Sequence, residues 1–447
     1  MEVSARRLMP SKRKTLGLGI VVTIVYAIYV YVFHFSSTAS WIIQPYLDDT
    51  YCTWNDSIYA HPDGHYQLHL CYTRVSKASS PADTPLTIKE SKIRINGSSK
   101  RLRFEDLASI PDAEWLQNFD PSVYLLYPQS IPVRETLQSL IDGKPIPQPP
   151  IYNPWIQLLQ VPSRVCAPLT ATQATLGPTD TSSLPNVVIV YKSGVYNFEV
   201  RSKLRQLYRL HYPDINAYLI FSIGLPRTLP GNVFVRDGFN VTLTNRAGNK
   251  LIEHSRHPSK TTKMLAQEMR EHDDLLVGDY EDSYYNLTLK LFHTFQWAAR
   301  LCRPYKPIFV FLDDDYAVNI NKLGTFVRGL TPQLQEDLNC GFEVMVNPVF
   351  RPNSVFPQWA FSKREIPWPR HTPQYLGIFS MWSYRNVHDA ALAMHFTKPM
   401  VIDDTWLGML QYKLNITFSR LEGMFPESVQ IPPHTTCSDI FFALLSE

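Results

Sequence analysis

Pro307-Ile-Phe-Val-Phe-Leu-Asp313-Asp314-Asp315-Tyr316-Ala-Val-Asn319 is the stretch that decides the fold. Its apolar run from Ile308 to Leu312 has the length and side-chain branching of a fully buried strand. Three carboxylates follow directly, and because neighbouring like charges raise one another's pKa, the run is unfavourable without a cation. Ligands of open α/β sheets bind just beyond the carboxyl ends of strands. The stretch therefore predicts either a site for a hard divalent ion, Mn²⁺ or Mg²⁺, or an acidic surface turn, and alone it favours neither.

Strand-like and helix-like segments alternate along the chain around this stretch. Val187–Tyr191 and Ala217–Phe221 are runs rich in β-branched and aromatic residues, which is typical of buried strands. A helix predicted over Asn286–Cys302 is apolar on nearly all sides, so we expect it to be buried. This alternation predicts an α/β fold with a mostly parallel, doubly wound sheet over residues 186–447.

The composition is that of a globular protein. Hydrophobic residues make up 45% and charged residues 19% of the 447 residues. The net charge of +3 is small, and no basic stripe is interleaved with aromatic residues. We therefore expect no nucleic-acid partner.

An apolar segment near the N-terminus predicts a membrane anchor. Residues 16–35 contain no Asp, Glu, Lys or Arg, and a basic cluster within residues 1–15 precedes them. The segment is long enough to cross a bilayer as a helix and longer than the apolar core of a cleavable signal peptide. The basic flank predicts a single-pass type II protein, with residues 1–15 in the cytosol and the residues from 36 onward in the lumen. Residues 36–185, irregular and proline-rich, are interpreted as a lumenal stem or accessory region.

Cysteines and glycosylation sequons agree with a lumenal location. The cysteines all follow the apolar segment: Cys52, Cys71, Cys166, Cys302, Cys340 and Cys437. The N-x-S/T sequons begin at Asn55, Asn96, Asn240, Asn286 and Asn415. An even number of cysteines in an oxidising compartment predicts up to three disulfides, and the spacing of the cysteines argues against a zinc site.

Four segments between residues 186 and 447 carry motifs in a fixed order. They are Asn197-Phe-Glu-Val-Arg201-Ser-Lys-Leu-Arg205-Gln-Leu-Tyr208, Gly278-Asp279-Tyr-Glu-Asp282-Ser-Tyr284-Tyr-Asn286-Leu-Thr-Leu-Lys290, Phe311–Asn319 and Ile402-Asp403-Asp404-Thr-Trp406-Leu-Gly408. Together they resemble glycosyltransferase family 31, the inverting β-1,3-galactosyl- and N-acetylglucosaminyltransferases of the Golgi. The resemblance implies a GT-A-like fold and transfer of a sugar from a UDP-sugar to a glycoprotein or glycolipid acceptor.

The resemblance also implies roles for individual residues. Asp315 would be the direct metal ligand, and Asp313 and Asp314 would support it and contact the ribose of the nucleotide. Asp404 would be the base that takes the proton of the acceptor hydroxyl. From spacing alone, Asp403-Asp404 is favoured as a helix cap, because carboxylates are common where a helix begins, and a capping Asp403 would be compatible with a base at Asp404.

Further residues would bind the donor or the acceptor by the same resemblance. Arg201 and Arg205 would lie near the UDP phosphates, although two arginines on a helix also form an ordinary solvated face. Asp279 and Lys290 would also lie on the donor side, with a strand end and an exposed helix position as the alternatives. Acceptor contacts would come from the aromatic stretch Trp359–Trp382, where core packing is the alternative for any single ring.

A second hypothesis is a catalytically silent, membrane-anchored relative that binds glycoproteins or assists another transferase. The family usually places a metal-binding histidine shortly after a C-terminal cysteine, and none follows Cys437 here. His434, which precedes that cysteine, is the nearest substitute. Both acidic clusters are intact, which a silent relative would not need.

Overall fold

The computed structural model describes residues 58–61, 64–74, 90–95, 97–115, 119–166, 186–208, 215–229, 231–344, 347–426, 434 and 439–444. The predicted anchor, residues 16–35, lies outside these residues. Within the described ranges, no helix is both long and apolar enough to cross a membrane. Contacts place Thr53–Glu447 in one compact unit.

Short strands and helices alternate along the described chain. The strands are β1 (Ile58–Ala60), β2 (Tyr66–Leu68), β3 (Ser91–Ile95), β4 (Ser98–Leu102), β5 (Ile156–Gln160), β6 (Asn186–Lys192), β7 (Asn216–Leu225), β8 (Val233–Arg236), β9 (Phe239–Thr242), β10 (Leu275–Glu281), β11 (Ile308–Asp313), β12 (Tyr316–Val318), β13 (Asn339–Val344), β14 (Gln374–Trp382), β15 (Ser419–Arg420), β16 (Met424–Phe425) and β17 (Phe442–Leu444). The α-helices are α1 (Asp112–Trp115), α2 (Val133–Ile141), α3 (Phe198–Leu207), α4 (Asn245–Ser255), α5 (Pro258–Glu271), α6 (Leu287–Leu301), α7 (Ile320–Arg328), α8 (Pro332–Glu336), α9 (Tyr384–Met394) and α10 (Asp403–Lys413).

A ten-stranded sheet forms the centre of the unit, in the order β1-β2-β5-β10-β7-β6-β11-β14-β13-β15. The neighbours β10, β7, β6 and β11 are parallel, as the sequence predicts. The ladders from β1 to β10 and from β11 to β13 are antiparallel, so the sheet as a whole is mixed. The central strands are continuous apolar runs because both of their faces are covered.

Two hydrophobic layers cover the two faces of the sheet. Val188 and Val190 of β6 lie in one layer, whereas Val187 and Ile189 lie in the other, as the alternation of side chains along a strand requires. The first layer contains α6, whose residues are buried almost throughout, so the predicted buried helix is confirmed. Helices on both faces of an α/β sheet leave the carboxyl ends of the parallel strands as the open edge for a ligand.

The described part of residues 36–185 extends this sheet. Strands β1, β2 and β5 join it through the antiparallel pairing of β5 with β10. Leu68, Trp115 and Ile156 belong to the same hydrophobic cluster as α6. The region interpreted from sequence as an irregular stem therefore contributes to the fold here. Its strands of three to five residues are too short to give a clear alternating pattern.

Some of the cysteines are paired and one is not. A disulfide joins Cys166 to Cys302 at the end of α6, and Cys71 is also disulfide-bonded. Cys340 is a free, buried thiol on β13, and burial raises its pKa to about 12. Because Cys340 is free, the six cysteines form at most two disulfides, which is within the predicted maximum of three.

Candidate active site

The acidic triplet lies at the carboxyl end of β11, at the open edge of the parallel strands. Strand β6 runs parallel beside β11, and their register places Lys192 opposite Asp313. Both residues are the last of their strands, so their side chains leave the sheet at the same edge. The Lys192 amine lies 3.1 Å from the Asp313 carboxylate.

Lys192 joins the triplet to the second acidic pair. Its amine also lies 3.1 Å from the carboxylate of Asp403, at the start of α10, and donates to the Gly377 carbonyl of β14 at 2.5 Å. Only 8% of the Lys192 side chain is exposed. One buried ammonium group therefore holds together two strands of the sheet and the first turn of α10. The motifs did not identify Lys192, and the local signal for it is a lysine that ends an otherwise apolar strand.

The charges around Lys192 shift each other's pKa. Burial raises the pKa of Asp313 to about 6, Lys192 opposes this rise, and the charges of Asp315 and Asp403 add to it. Burial alone would lower the pKa of Lys192, but Asp313 and Asp403 outweigh burial and raise it. Lys192 is therefore protonated at neutral pH and is the cation that the acidic cluster needs.

Asp404 has the properties of a general base. It is half-buried in the first turn of α10, and burial followed by the charge of Asp403 raises its pKa to about 7, against the opposing effect of Lys192. A carboxylate with a pKa near neutral accepts a proton better than an ordinary aspartate. Ile402 occupies the N-cap of α10, and Asp403 and Asp404 lie in its first turn, where carboxylates are favourable without being the capping residue.

Asp314 is held inside the site by hydrogen bonds. Ser193 donates to its carboxylate at 2.7 Å and Asn197 donates to it at 2.8 Å. The amide oxygen of Asn197 in turn accepts from Lys250 at 2.9 Å. Asp314 therefore anchors the loop of residues 193–197, which follows β6 and leads into α3.

Arg201 lies beneath this loop and is fully buried, so the structure gives it a supporting position. Each of its five N–H groups has an acceptor: the two carboxylate oxygens of Glu268, the Ser193 hydroxyl and the carbonyls of Gly194 and Val195. Arg201 therefore has no free donor for a phosphate. It holds the backbone of the loop that carries Ser193.

Arg205 and Lys290 pair with acidic residues outside the triplet, and Asp279 is exposed. Arg205 forms a two-point ion pair with Asp274 at 2.6 and 2.7 Å. Lys290 is 2% exposed, pairs with Asp282 at 3.0 Å and donates to the Ser193 carbonyl. Asp279 is exposed on β10. Lys290 thus supports the same loop as Arg201.

We expect Arg201→Met to destabilise the fold strongly. Removing one partner of a buried ion pair leaves the other charge uncompensated, which costs about 3–5 kcal/mol. Urea unfolding of the variant measures this loss. Lys203→Met is the matched control, because Lys203 is exposed on the same helix and its replacement changes stability by less than about 0.5 kcal/mol. A loss below about 1 kcal/mol for Arg201→Met would show that its ion pair with Glu268 contributes little.

Comparison with known proteins gives the same assignment as the motifs. Residues 251–422, which include the acidic triplet and the Asp403-Asp404 pair, match the family model described as Galactosyltransferase. The motif-based resemblance to glycosyltransferase family 31 is thereby confirmed.

The similar curated proteins are β-1,3-glycosyltransferases. Beta-1,3-galactosyltransferase 5 of Gorilla gorilla gorilla is 30% identical over 166 residues, which cover 36% of this chain and 53% of the relative. The mouse acetylgalactosaminyl-O-glycosyl-glycoprotein beta-1,3-N-acetylglucosaminyltransferase is 29% identical over 189 residues, which cover 40% of this chain and 44% of the relative. The chain thus spans about half the length of the curated relatives it matches.

One solved structure, the apo form of mouse xyloside xylosyltransferase 1, is 12% identical and covers 54% of this chain and 87% of its own. Its TM-score of 0.23 is too low to support an argument.

An exposed tryptophan contacts Tyr284, a residue affected by the charges of the acidic cluster. The indole N–H of Trp359 donates to the Tyr284 hydroxyl at 2.5 Å, and 39% of Trp359 is exposed. Burial raises the pKa of Tyr284, and the hydrogen bond from Trp359 opposes this rise. The negative charges of Asp403, Asp404 and Asp313 add to the rise, so Tyr284 is affected by the charge of the acidic cluster. Trp359 therefore offers a partly exposed ring beside Tyr284.

Other residues of the aromatic stretch belong to the core of the domain. Trp368 is completely buried and Tyr375 is 4% exposed, so for these two rings the alternative of core packing is confirmed. Lys363 pairs at 2.7 Å with Asp112 of α1, which belongs to the accessory region within residues 36–185. Trp368 is buried because residues of the accessory region pack over it in the same hydrophobic cluster.

The carboxylates of the domain fit a divalent ion only in part. In the part of the chain that the structure describes, no three His, Cys, Asp or Glu side chains are grouped to hold a metal. Asp315 is half-buried, and its charge contributes to the raised pKa of Asp313, so these two carboxylates lie close together. Mg²⁺ and similar ions are commonly bound by one or two carboxylates together with substrate phosphates. The residues therefore fit an ion shared with a diphosphate.

Proposed function

We propose that the protein is an inverting β-1,3-glycosyltransferase with a GT-A-like catalytic region over residues 186–447. It would transfer galactose or N-acetylglucosamine, and less readily N-acetylgalactosamine, from a UDP-sugar to a hydroxyl of a glycoprotein or glycolipid. The observation that carries the proposal is the convergence of Asp313 and Asp403 on Lys192. This convergence brings the triplet Asp313–Asp315 and the pair Asp403-Asp404 to one edge of the sheet. The galactosyltransferase-family match supports the same reaction class.

Transfer with inversion needs one displacement at the anomeric carbon. The acceptor oxygen attacks that carbon on the face opposite UDP, a new C–O bond forms, and the bond to the diphosphate oxygen breaks. Asp404 takes the proton of the attacking hydroxyl, for which its raised pKa suits it. Lys192 remains charged and holds Asp403, the neighbour of the base, in place.

We assign the triplet to the donor side of the reaction. Asp313 and Asp314 would face the nucleotide, and Asp315 would hold Mn²⁺ or Mg²⁺. Such an ion would neutralise the charge that develops on the leaving diphosphate. Arg201, Arg205 and Lys290 would act on the donor indirectly, through the loop that carries Ser193 and through Glu268. Asp279, which is exposed, remains a proposed direct donor contact.

We further propose that the protein is a single-pass type II protein of the Golgi membrane. The support for this is the apolar segment at residues 16–35, its basic flank and the sequons that follow. Residues 36–447 would then lie in the lumen, where nucleotide sugars and maturing glycans meet.

UDP release by the purified lumenal part, residues 36–447, tests the proposed activity. UDP-galactose, UDP-N-acetylglucosamine and UDP-N-acetylgalactosamine are offered with Mn²⁺ or with EDTA, each with and without galactoside and glycan acceptors. We expect release from one donor that requires both Mn²⁺ and an acceptor. Absence of release from every donor, together with no Mn²⁺-dependent UDP binding by calorimetry, would favour the catalytically silent relative.

We expect Trp359→Ala to weaken acceptor binding selectively. Sugars present apolar faces to aromatic rings, and an aromatic contact contributes about 0.5–1.5 kcal/mol beyond the area buried, so the acceptor KM should rise roughly tenfold. The donor KM should not change. Trp155→Ala is the matched control, because Trp155 is also exposed, to 45%. Its ring stacks on His69 at a centroid distance of 4.4 Å, outside the proposed site. Equal changes in both KM values would contradict an acceptor role for Trp359.

A further inference from the structure

The β8–β9 hairpin exposes apolar side chains beside a glycosylation sequon. Val235 is 83% exposed and Val233 is 51% exposed. In the register of the hairpin, Val235 lies opposite Asn240 and Val233 lies opposite Thr242. Asn240 and Thr242, the first and third residues of the sequon, are both exposed, whereas Val241 between them is buried. The sequon and the two valines therefore share the solvent-facing side of the hairpin.

The opposite side of the hairpin is fixed against the fold, so the valines cannot turn inward. The Arg236 guanidinium pairs with Glu365 at 3.0 Å and lies 4.8 Å from the Phe361 ring. Phe234, on the same side as Arg236, packs against Tyr285. A one-residue shift in the register of the hairpin would turn Arg236 and Phe234 towards solvent and the two valines inward. The contacts made by Arg236 and Phe234 oppose such a shift.

The other described sequons differ from Asn240 in their surroundings. The amide of Asn286 donates to the Glu281 carbonyl at 2.7 Å, and Thr288 of the same sequon is buried and donates to the Met400 carbonyl at 2.6 Å. A glycan on Asn286 would have to replace a proton of the amide that donates to Glu281. Asn415 is exposed after α10, but the residue that follows it, Ile416, is 9% exposed. Only the Asn240 sequon lies directly across from exposed valines among these three.

We propose that Asn240 carries an N-linked glycan whose first sugars cover Val233 and Val235, while Asn286 is unmodified. The inference rests on the proposed lumenal location. In the transfer step, the Asn240 amide nitrogen forms a bond to the anomeric carbon of a lipid-diphosphate-linked oligosaccharide. The lipid diphosphate leaves, and the amide nitrogen loses a proton. Directly opposite residues in an antiparallel pair have Cβ atoms about 5 Å apart, so the first sugar lies within reach of Val235.

Glycopeptide mass spectrometry of the full chain from a eukaryotic secretory host tests where the glycans are. We expect a glycan on Asn240 and an unmodified Asn286. Asn240→Gln and Thr242→Val should each remove the same single glycan, and Asn286→Gln should remove none. Modification of Asn415 without Asn240 would overturn this inference but leave the lumenal location standing. Absence of glycans at Asn240, Asn286 and Asn415 would overturn both this inference and the lumenal location. The UDP-release experiment tests the transferase activity independently of either result.

Binding of a hydrophobic dye tests whether the glycan covers the valines. Asn240→Gln should increase dye binding and aggregation, and adding Val235→Thr should reverse the increase. Val235→Thr in the glycosylated protein should change neither. If Asn240→Gln leaves dye binding at the level of the unsubstituted protein, the covering role is overturned even when Asn240 is glycosylated.

Discussion

Asp404→Asn is expected to reduce kcat/KM for sugar transfer by about 10²- to 10⁴-fold, the usual contribution of a general base. Asparagine preserves the size of the side chain but cannot take the proton of the acceptor hydroxyl. UDP binding should be unchanged, because the donor-side carboxylates lie on β11 and the turn after it. Steady-state kinetics with the donor and acceptor identified by UDP release measures the loss, and calorimetry measures UDP binding. Asp337→Asn, an exposed carboxylate paired with Arg385, is the matched control.

The pH dependence separates a catalytic role for Asp404 from a structural one. Activity of the unsubstituted enzyme should rise with pH through about 7, as Asp404 loses its proton. Because its pKa in the folded state is above that of an ordinary aspartate, ionising Asp404 destabilises the fold as pH rises from about 4 to about 7. Asp404→Asn removes this effect and should be no less stable at pH 8. Transfer at the unsubstituted rate would show that another group is the base.

The parts of the site that the sequence predicts are those encoded by short, continuous patterns. The strand ending at Asp313 is one example, because an apolar run followed by acids is visible within thirteen residues. The buried helix α6 is another, because its apolar residues surround the whole helix. Both patterns depend only on neighbours in the chain.

The parts that the sequence does not predict depend on pairing between distant segments. Lys192 becomes part of the site only because β6 and β11 align in register across the sheet. Arg201 resembles a surface or phosphate-binding residue until Glu268, on a different helix, is placed against it. Trp368 resembles a sugar-binding ring until the accessory region covers it. In each case the local pattern is correct in residue type, and the fold decides whether the side chain is open.

Lys192→Met is expected to lower kcat/KM by about 10- to 100-fold, the range observed when a group that orients a reactive residue is lost. Without the ammonium group, Asp313 and Asp403 have no shared cation, and α10 loses its link to β14 through Gly377. The loss of a buried partner also costs about 3–5 kcal/mol of stability. Kinetics and urea unfolding of the same preparation measure the two effects.

The pH profile of Lys192→Met shows whether this lysine acts on Asp404 or only on the fold. Lys192 opposes the rise in the pKa of Asp404, so its removal should move the midpoint of the activity profile above its original value near 7. Lys192→Arg, which keeps the charge, should restore the midpoint in part. Lys413→Met is the control, because Lys413 is a half-buried lysine at the end of α10, the helix that carries Asp404, and donates to the carbonyls of Tyr127 and Gln129. A loss of stability with an unshifted midpoint would mean that Lys192 supports the fold without tuning the base.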